Sequence, residues 1–252
     1  YIPYAAATAE VTSASIDNCL LVGKGSADLA FVNADTAWDA YQGKEKFKEK
    51  VPLRTVAVLY PNNMHVVTIE GKGIEKVTDL KGKRVSTGAP GSGTEVKALR
   101  VLEAYGLTPD KDFTRDKLGV SESAGALKDR KIDAFFWDGG LPTAAVTDLG
   151  ATPGIKIKII PHGDAIPKMR EKYGPLYVKG VIPAKTYPGQ DVDVEMAVVW
   201  NLLVCNEKMK GDVVYDIVRT LFDRKPELVA SHRDARYLSL EPQVGGSPIP
   251  LH

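Results

Sequence analysis

Short apolar runs and helix-periodic segments take turns along this chain. The runs at 28–32, 53–60, 64–69, 84–87, 132–137, 155–160, 178–182 and 194–205 read as strands, and residues 9–12 as a further short one. Between them, apolar residues recur at helical spacing. One helix follows Thr12-Ser13-Ala14-Ser15 and carries Ile16, Cys19, Leu20 and Leu21, with Ser13 or Ser15 as its N-cap. A second follows Asn33-Ala34-Asp35-Thr36 and carries Trp38 and Tyr41. Further helices are predicted over 121–128, 166–173 and 212–223, with a helical turn at 77–80 and a restart at Pro226. Pro61-Asn62-Asn63 reads as a closing turn, and Pro142 as the first turn of a helix after the loop at 138–143. Residues 194–205 are long enough to cross from one domain to another. Strands alternating with helices predict an α/β fold with parallel sheets.

The most informative stretch is 81–107. A short strand ends at Thr87, and Gly88-Ala89-Pro90-Gly91 is a run of turn residues. Ser92-Gly93-Thr94 then opens a helix carrying Val96, Leu99, Val101, Leu102 and Tyr105, stopped by Gly106. Ser92 or Thr94 can cap the first turn, with Glu95 placed for a capping box from Ser92. Such a turn leaves N–H groups pointing one way at the positive end of a helix, which suits a carboxylate. A purely structural strand–turn–helix is the competing reading. The glycines run GxxGxG, not in the GxGxxG order of a dinucleotide site, and there is no GxxxxGK[ST] loop.

An internal echo adds to this. Residues 23–32 read GKGSADLAFV and 128–136 read KDRKIDAFF. Each is a helix end, basic residues, then Asp and Phe on a strand, followed by a polar or glycine loop. Equivalent strands would place both loops at carboxyl ends, where open α/β sheets bind ligands. A coincidence over a span of about ten positions is the competing account.

Composition narrows the classes. The chain has 252 residues, room for one large or two small domains, with 44% hydrophobic and 26% charged residues. With 33 basic against 32 acidic residues the net charge is +1, which gives no pull toward nucleic acid or an anionic membrane. No run of about 18 apolar residues marks a membrane span. Cys19 and Cys205 read as buried thiols, with one bridge as the alternative. None of His65, His162, His232 and His252 pairs at metal spacing, and no GxSxG elbow occurs. No catalytic residue, metal ligand or cofactor is therefore expected.

LKGKRVSTGAPGSGTE with its helix, AEVTSAS, ADLAFVNADTAWDAY and IDAFFWDGGLPT together resemble the TAXI-type solute receptors, the extracytoplasmic binding proteins of TRAP transporters. The resemblance runs from about Thr8 to about Arg224, and APGSGT and ADLAFVNAD are its most specific parts. It implies a two-lobed type II periplasmic-binding-protein fold with a ligand cleft between the lobes. Lobe one would hold residues 1–69 and 192–252 and lobe two 70–191, with connecting strands near 64–69 and 194–205. The family's start departs: a strand, a Gly-Gly-x-Tyr-Tyr-Pro-like loop and a helix precede its AEVT-like strand, whereas here Tyr1-Ile2-Pro3-Tyr4 soon meets AEVT. We expect that loop to survive as residues 1–4, its helix missing and the chain a mature or trimmed form.

The resemblance further implies a periplasmic or extracytoplasmic receptor. It would capture a small acidic solute by lobe closure and hand it to TRAP membrane permease subunits, without inserting in the membrane. Glutamate or a related C4–C5 dicarboxylate or keto acid is favoured, and a monomer is expected. Lobe two would contribute Thr87, Gly88, Ser92, Gly93 and Thr94 around a carboxylate, and Trp137 with Gly139 as a wall offering an indole N–H. Lobe one would contribute Tyr4, then Ser13, Ala14 and Ser15 at one helix start and Asn33 with Ala34 at the next; Asn33 both donates and accepts. Simpler roles stand beside these: helix capping for Ser13, Ser15 and Asn33, core packing for Trp137, and a solvent-facing loop position for Asp138. The solute's second charged group has no assigned partner; Arg84 at a strand start is as suited to face water. An enzyme on the same fold, or a ligand-sensing domain without transport, are the rival readings.

Overall fold

Two strands carry the chain between its two compact units. Leu53–Ile69 (β2) leaves the first and Val194–Asn206 (β8) returns to it. In the computed structural model, which describes residues 2 and 4–252, unit 1 ends at Pro61 and resumes at Trp200, and unit 2 is Asn62–Val199.

In unit 1, Ser15–Lys24 (α1), Leu29–Asn33 (β1) and Ala34–Gln42 (α2) follow one another directly. β1 pairs antiparallel with the second half of β8, from Leu29 opposite Cys205 to Asn33 opposite Asn201. Because side chains alternate along a strand, Leu202 and Val204 meet Cys19, Val22, Ala34 and Ala37, while Leu203 and Cys205 turn to the other face. There the amphipathic helix Gly211–Asp223 (α7) and Lys225–Ser231 (α8) cover them with Val214, Ile217, Leu221 and Leu228. Both thiols are free and buried in different clusters, which is why they do not bridge.

In unit 2, Arg84–Ser86 (β3) lies parallel between Thr114–Asp116 (β4) and Ala134–Gly139 (β5). β5 runs antiparallel to β2, and so does Ile157–Ile159 (β6). Val178–Ile182 (β7) pairs antiparallel with the first half of β8. The single sheet has the order β1-β8-β2-β5-β3-β4. Gly93–Ala104 (α3), Val120–Lys128 (α4), Ala144–Gly150 (α5) and Ile166–Tyr173 (α6) pack around its unit 2 strands. The short Glu241–Gly245 (α9) lies in the C-terminal tail.

The sheet is mixed, not parallel, because β2 and β8 run against their neighbours. Residues 9–12 form no strand; they are largely exposed and no described strand pairs with them. Pro61-Asn62-Asn63 is no turn, since β2 passes straight through it. Asn62 and Asn63 are buried there, and Asn63 pairs with Gly139 of β5. Pro142 precedes the N-cap of α5, Thr143, instead of opening the helix.

Candidate functional site

Each strand–turn–helix start picked out by the sequence has its own geometry. In unit 2, Thr87 leaves β3 fully buried, its N–H donating to the Asp116 carbonyl at 3.0 Å. Its Oγ1 accepts from Arg115 Nε at 2.7 Å. Ser92 is the N-cap of α3: its Oγ accepts from the Glu95 N–H at 3.1 Å and donates to the Ala89 carbonyl at 2.7 Å. Glu95 does not complete the expected box with Ser92. Its carboxylate takes the Gly91 N–H at 2.8 Å and the Arg115 guanidinium instead. A carboxylate buried in the first turn favours the helix dipole, and Arg115 balances its charge.

What this leaves is narrow. The N–H groups of Gly93 and Thr94, first and second in α3, have no acceptor among the described residues, as helix geometry requires of those positions. Thr94 Oγ1 accepts from the Asp138 N–H at 3.3 Å, so its own proton remains to be donated. Gly88 makes this close packing possible. Its φ is 95°, and a Cβ there would fall 2.6 Å from Thr94 Cγ2. Gly88 thus acts on Thr94 through the room its missing side chain leaves.

Behind Thr94 lies a pair that sequence reasoning missed. Lys97, one turn further along α3, ion-pairs with Asp138 of β5, and both side chains are fully buried. Lys97 also donates to the Asn62 carbonyl at 3.1 Å. Asp138 is therefore no solvent-facing loop position. Lys97 falls at a polar position of an otherwise ordinary helix pattern, and nothing in the sequence ties it to Asp138.

Trp137 departs from the expectation as well. Its indole N–H is spent inside the protein, donating to Thr143 Oγ1 at 2.8 Å. Gly139 keeps that ring in place, since a Cβ there would meet it at 2.8 Å. A hydrogen-bond chain fixes the loop beyond. His65 Nδ1–H donates to the Asn63 carbonyl at 2.8 Å, so Nε2 accepts from the Tyr187 hydroxyl at 2.8 Å; the Tyr187 oxygen in turn accepts the Thr143 N–H at 3.0 Å. Burial holds the His65 imidazole neutral, its pKa lowered to about 4. His162 is likewise lowered to about 4 by burial, with Ala197 N–H donating to its Nε2 at 3.2 Å.

In unit 1 the first helix start is looser. The N-cap of α1 is Ala14, exposed, at φ 75° and ψ −142°, with no side-chain cap; neither Ser13 nor Ser15 caps. Ser13 is exposed, and Ser15 is the first helical residue. Ser15 Oγ accepts the Asn33 N–H at 3.2 Å, joining the two helix starts. Asn33, Ala34 and Ser15 are all buried. Asn33 is the N-cap residue of α2 but makes no side-chain cap bond. Tyr4 is exposed, and its hydroxyl donates to Asp216 of α7, which pushes its pKa up to about 12. Residues 1 and 3 of the expected loop lie outside the described residues. Arg84 is exposed and pairs with Asp116 at 3.4 Å. Among the described residues no group of three or more His, Cys, Asp or Glu could hold a metal ion, and no helix is long and apolar enough to cross a membrane.

The NMT1-like family matches residues 3–252. The periplasmic aliphatic sulphonate binding protein SsuA from Escherichia coli superposes with a TM-score of 0.54 at 16% identity, covering 94% of this chain and 72% of that one. The alkanesulfonate-binding protein SsuA from Xanthomonas axonopodis pv. citri bound to MOPS gives 0.47 at 16% identity, over 94% and 68%. The substrate binding protein of an amino acid ABC transporter gives 0.46 at 16%, over 84% and 74%. The chain is mixed α/β around one sheet and has the fold of the periplasmic binding proteins.

Proposed function

The chain belongs to the NMT1-like family, and from that premise we propose that it is an extracytoplasmic solute-binding receptor and not an enzyme. The Escherichia coli protein that shares its fold is itself named as a periplasmic binding protein. The receptor takes a small organic acid, glutamate or a related C4–C5 dicarboxylate or keto acid, and delivers it to the membrane subunits of a TRAP transporter. The GAPGSGTE and ADLAFVNAD segments, which resemble TAXI-type receptors, support that transporter class.

The observation that carries the acidic solute is the start of α3. Two amide N–H groups and the Thr94 hydroxyl proton remain to be donated there, at the positive end of a 12-residue helix. A carboxylate uses all three, and hydrogen bonds to charged groups contribute about 1.5–3 kcal/mol each. Ser92, Thr87 and Trp137 support this turn and its surroundings from within the protein. On unit 1, Ser13, Ala14, Asn33 and Ala34 remain the proposed contacts.

A thermal-shift screen against amino acids, keto acids and dicarboxylates, followed by calorimetry, tests the reading. A ligand at about 100 times its Kd raises stability by about 2.7 kcal/mol. Thr94→Val should then weaken binding by about 1–3 kcal/mol, while Thr94→Ser keeps it. Equal affinity in a folded Thr94→Val protein removes Thr94 from the site. Chemical conversion of the bound compound would favour an enzyme.

A further inference from the structure

The long apolar strand β8 carries one polar residue in its middle that the sequence reading passed over. Asn201 is 7% exposed, and it stands opposite Asn33 in the β1–β8 register. Residues directly opposed in an antiparallel pair point to the same face, with Cβ atoms about 4.5–5.5 Å apart. The two asparagines therefore share a face at the carboxyl end of β1, where α2 begins. That is the end of a strand at which open α/β sheets bind ligands. Among the buried side-chain nitrogen and oxygen atoms of the described residues, only Asn201 Oδ1 has no hydrogen-bond partner. Buried polar atoms are almost always paired, so an orphan in the middle of a strand calls for a donor from elsewhere.

We infer that Asn201 is a solute-reading residue of unit 1, whose carbonyl accepts an N–H from the bound acid. The chemistry makes it selective. An amide carbonyl has lone pairs and no proton. A solute ammonium or amine satisfies it. A keto oxygen or a second carboxylate brings another acceptor against it, with no proton to share. The inference rests on the receptor reading above and narrows its ligand class to acids carrying an amino group.

The test is calorimetry on the purified protein with matched pairs: alanine and pyruvate, aspartate and oxaloacetate, glutamate and 2-oxoglutarate. The wild type should prefer the amino member of whichever pair binds by about tenfold or more. Asn201→Leu should lose that preference, and its melting temperature should not fall, because no protein hydrogen bond of the Oδ1 atom is removed. Asn201→Asp, an isosteric acceptor, should keep it. A wild type that binds both members of a pair equally overturns the inference while leaving a receptor. So does an Asn201→Leu protein that keeps the preference but melts lower, which would make Asn201 a structural residue satisfied by internal water. A wild type that binds no acid in the whole screen overturns the receptor reading, and this inference with it. Should Asn201→Leu fail to fold, the wild-type pairs and Asn201→Asp still decide.

Discussion

The starts of α1 and α3 look alike on paper: small residues and hydroxyls, then an apolar-periodic helix. They differ in what holds them. The α3 start is knitted on every side. Ser92 caps it, Glu95 takes the Gly91 N–H, Arg115 pairs with Glu95 and reaches Thr87, and Thr94 receives the Asp138 N–H. The α1 start has Ala14 at a positive φ, an Asp17 carboxylate 3.4 Å from the Ser13 N–H, and exposed residues leading into it. What separates the two is the strand before the helix. β3 is hydrogen-bonded on both sides and delivers the chain to a fixed point, whereas no described strand precedes α1. A glycine- and serine-rich turn becomes a pre-organised donor set only when its entry is anchored.

The largest test of that anchoring is Lys97. Removing it by Lys97→Ala takes the ion-pair partner from the buried Asp138 carboxylate directly behind Thr94. Breaking a buried pair this way costs about 3–5 kcal/mol, far more than any surface pair. Urea unfolding should show the loss, and the double change Lys97→Met with Asp138→Leu should recover most of it, since no charge is then left unpaired. A single-variant cost under about 1 kcal/mol would mean that the pair is not what anchors the α3 start.

Acid should act on unit 2 next. His65 and His162 are neutral in the fold, with pKa values lowered to about 4 by burial, against about 6.5 when unfolded. The unfolded chain binds the extra protons, so this contribution is complete above about pH 6.5 and is lost as pH falls toward 4. Between pH 7 and 5.5 the loss is about 1 kcal/mol per histidine, about 2 in all. Urea midpoints at the two pH values measure it. Imidazole resonances assigned to His65 or His162 that titrate near pH 6.5 in the folded protein would contradict it.

How much of this could be read from the sequence follows the same division. The helices over 166–173 and 212–223, β7 and the α3 stretch were legible because their periodicity or turn chemistry is local. Ser92 as the α3 cap was legible for the same reason. The antiparallel course of β2 and β8 was not, since a buried apolar run looks the same in either direction. Asn62-Asn63 looked like a turn because polarity is a local cue, while their burial depends on what β2 passes beside. The Lys97–Asp138 pair, the use of the Trp137 indole by Thr143 through their shared loop, and the orphan at Asn201 all depend on where distant or folded-back residues meet. Gly88 was noticed for its freedom of backbone, yet its φ matters together with the room it leaves for Thr94.

The smallest test takes the two helix starts in opposite directions. Ser92→Ala removes a working cap from α3 and should cost about 1 kcal/mol. Ala14→Gly should do the reverse at α1. Its φ of 75° with ψ −142° lies in a region that suits glycine, and residues held in such sparsely populated regions cost of order 1–3 kcal/mol. Glycine relieves that strain but is freer when unfolded, which takes back roughly 0.5–1 kcal/mol, so a net gain near 1 kcal/mol is expected. Urea unfolding of the two variants reads both signs. If Ala14→Gly destabilised the protein as Ser92→Ala does, the α1 start would be held by something other than its own backbone, and the contrast between the two starts would fail at that point.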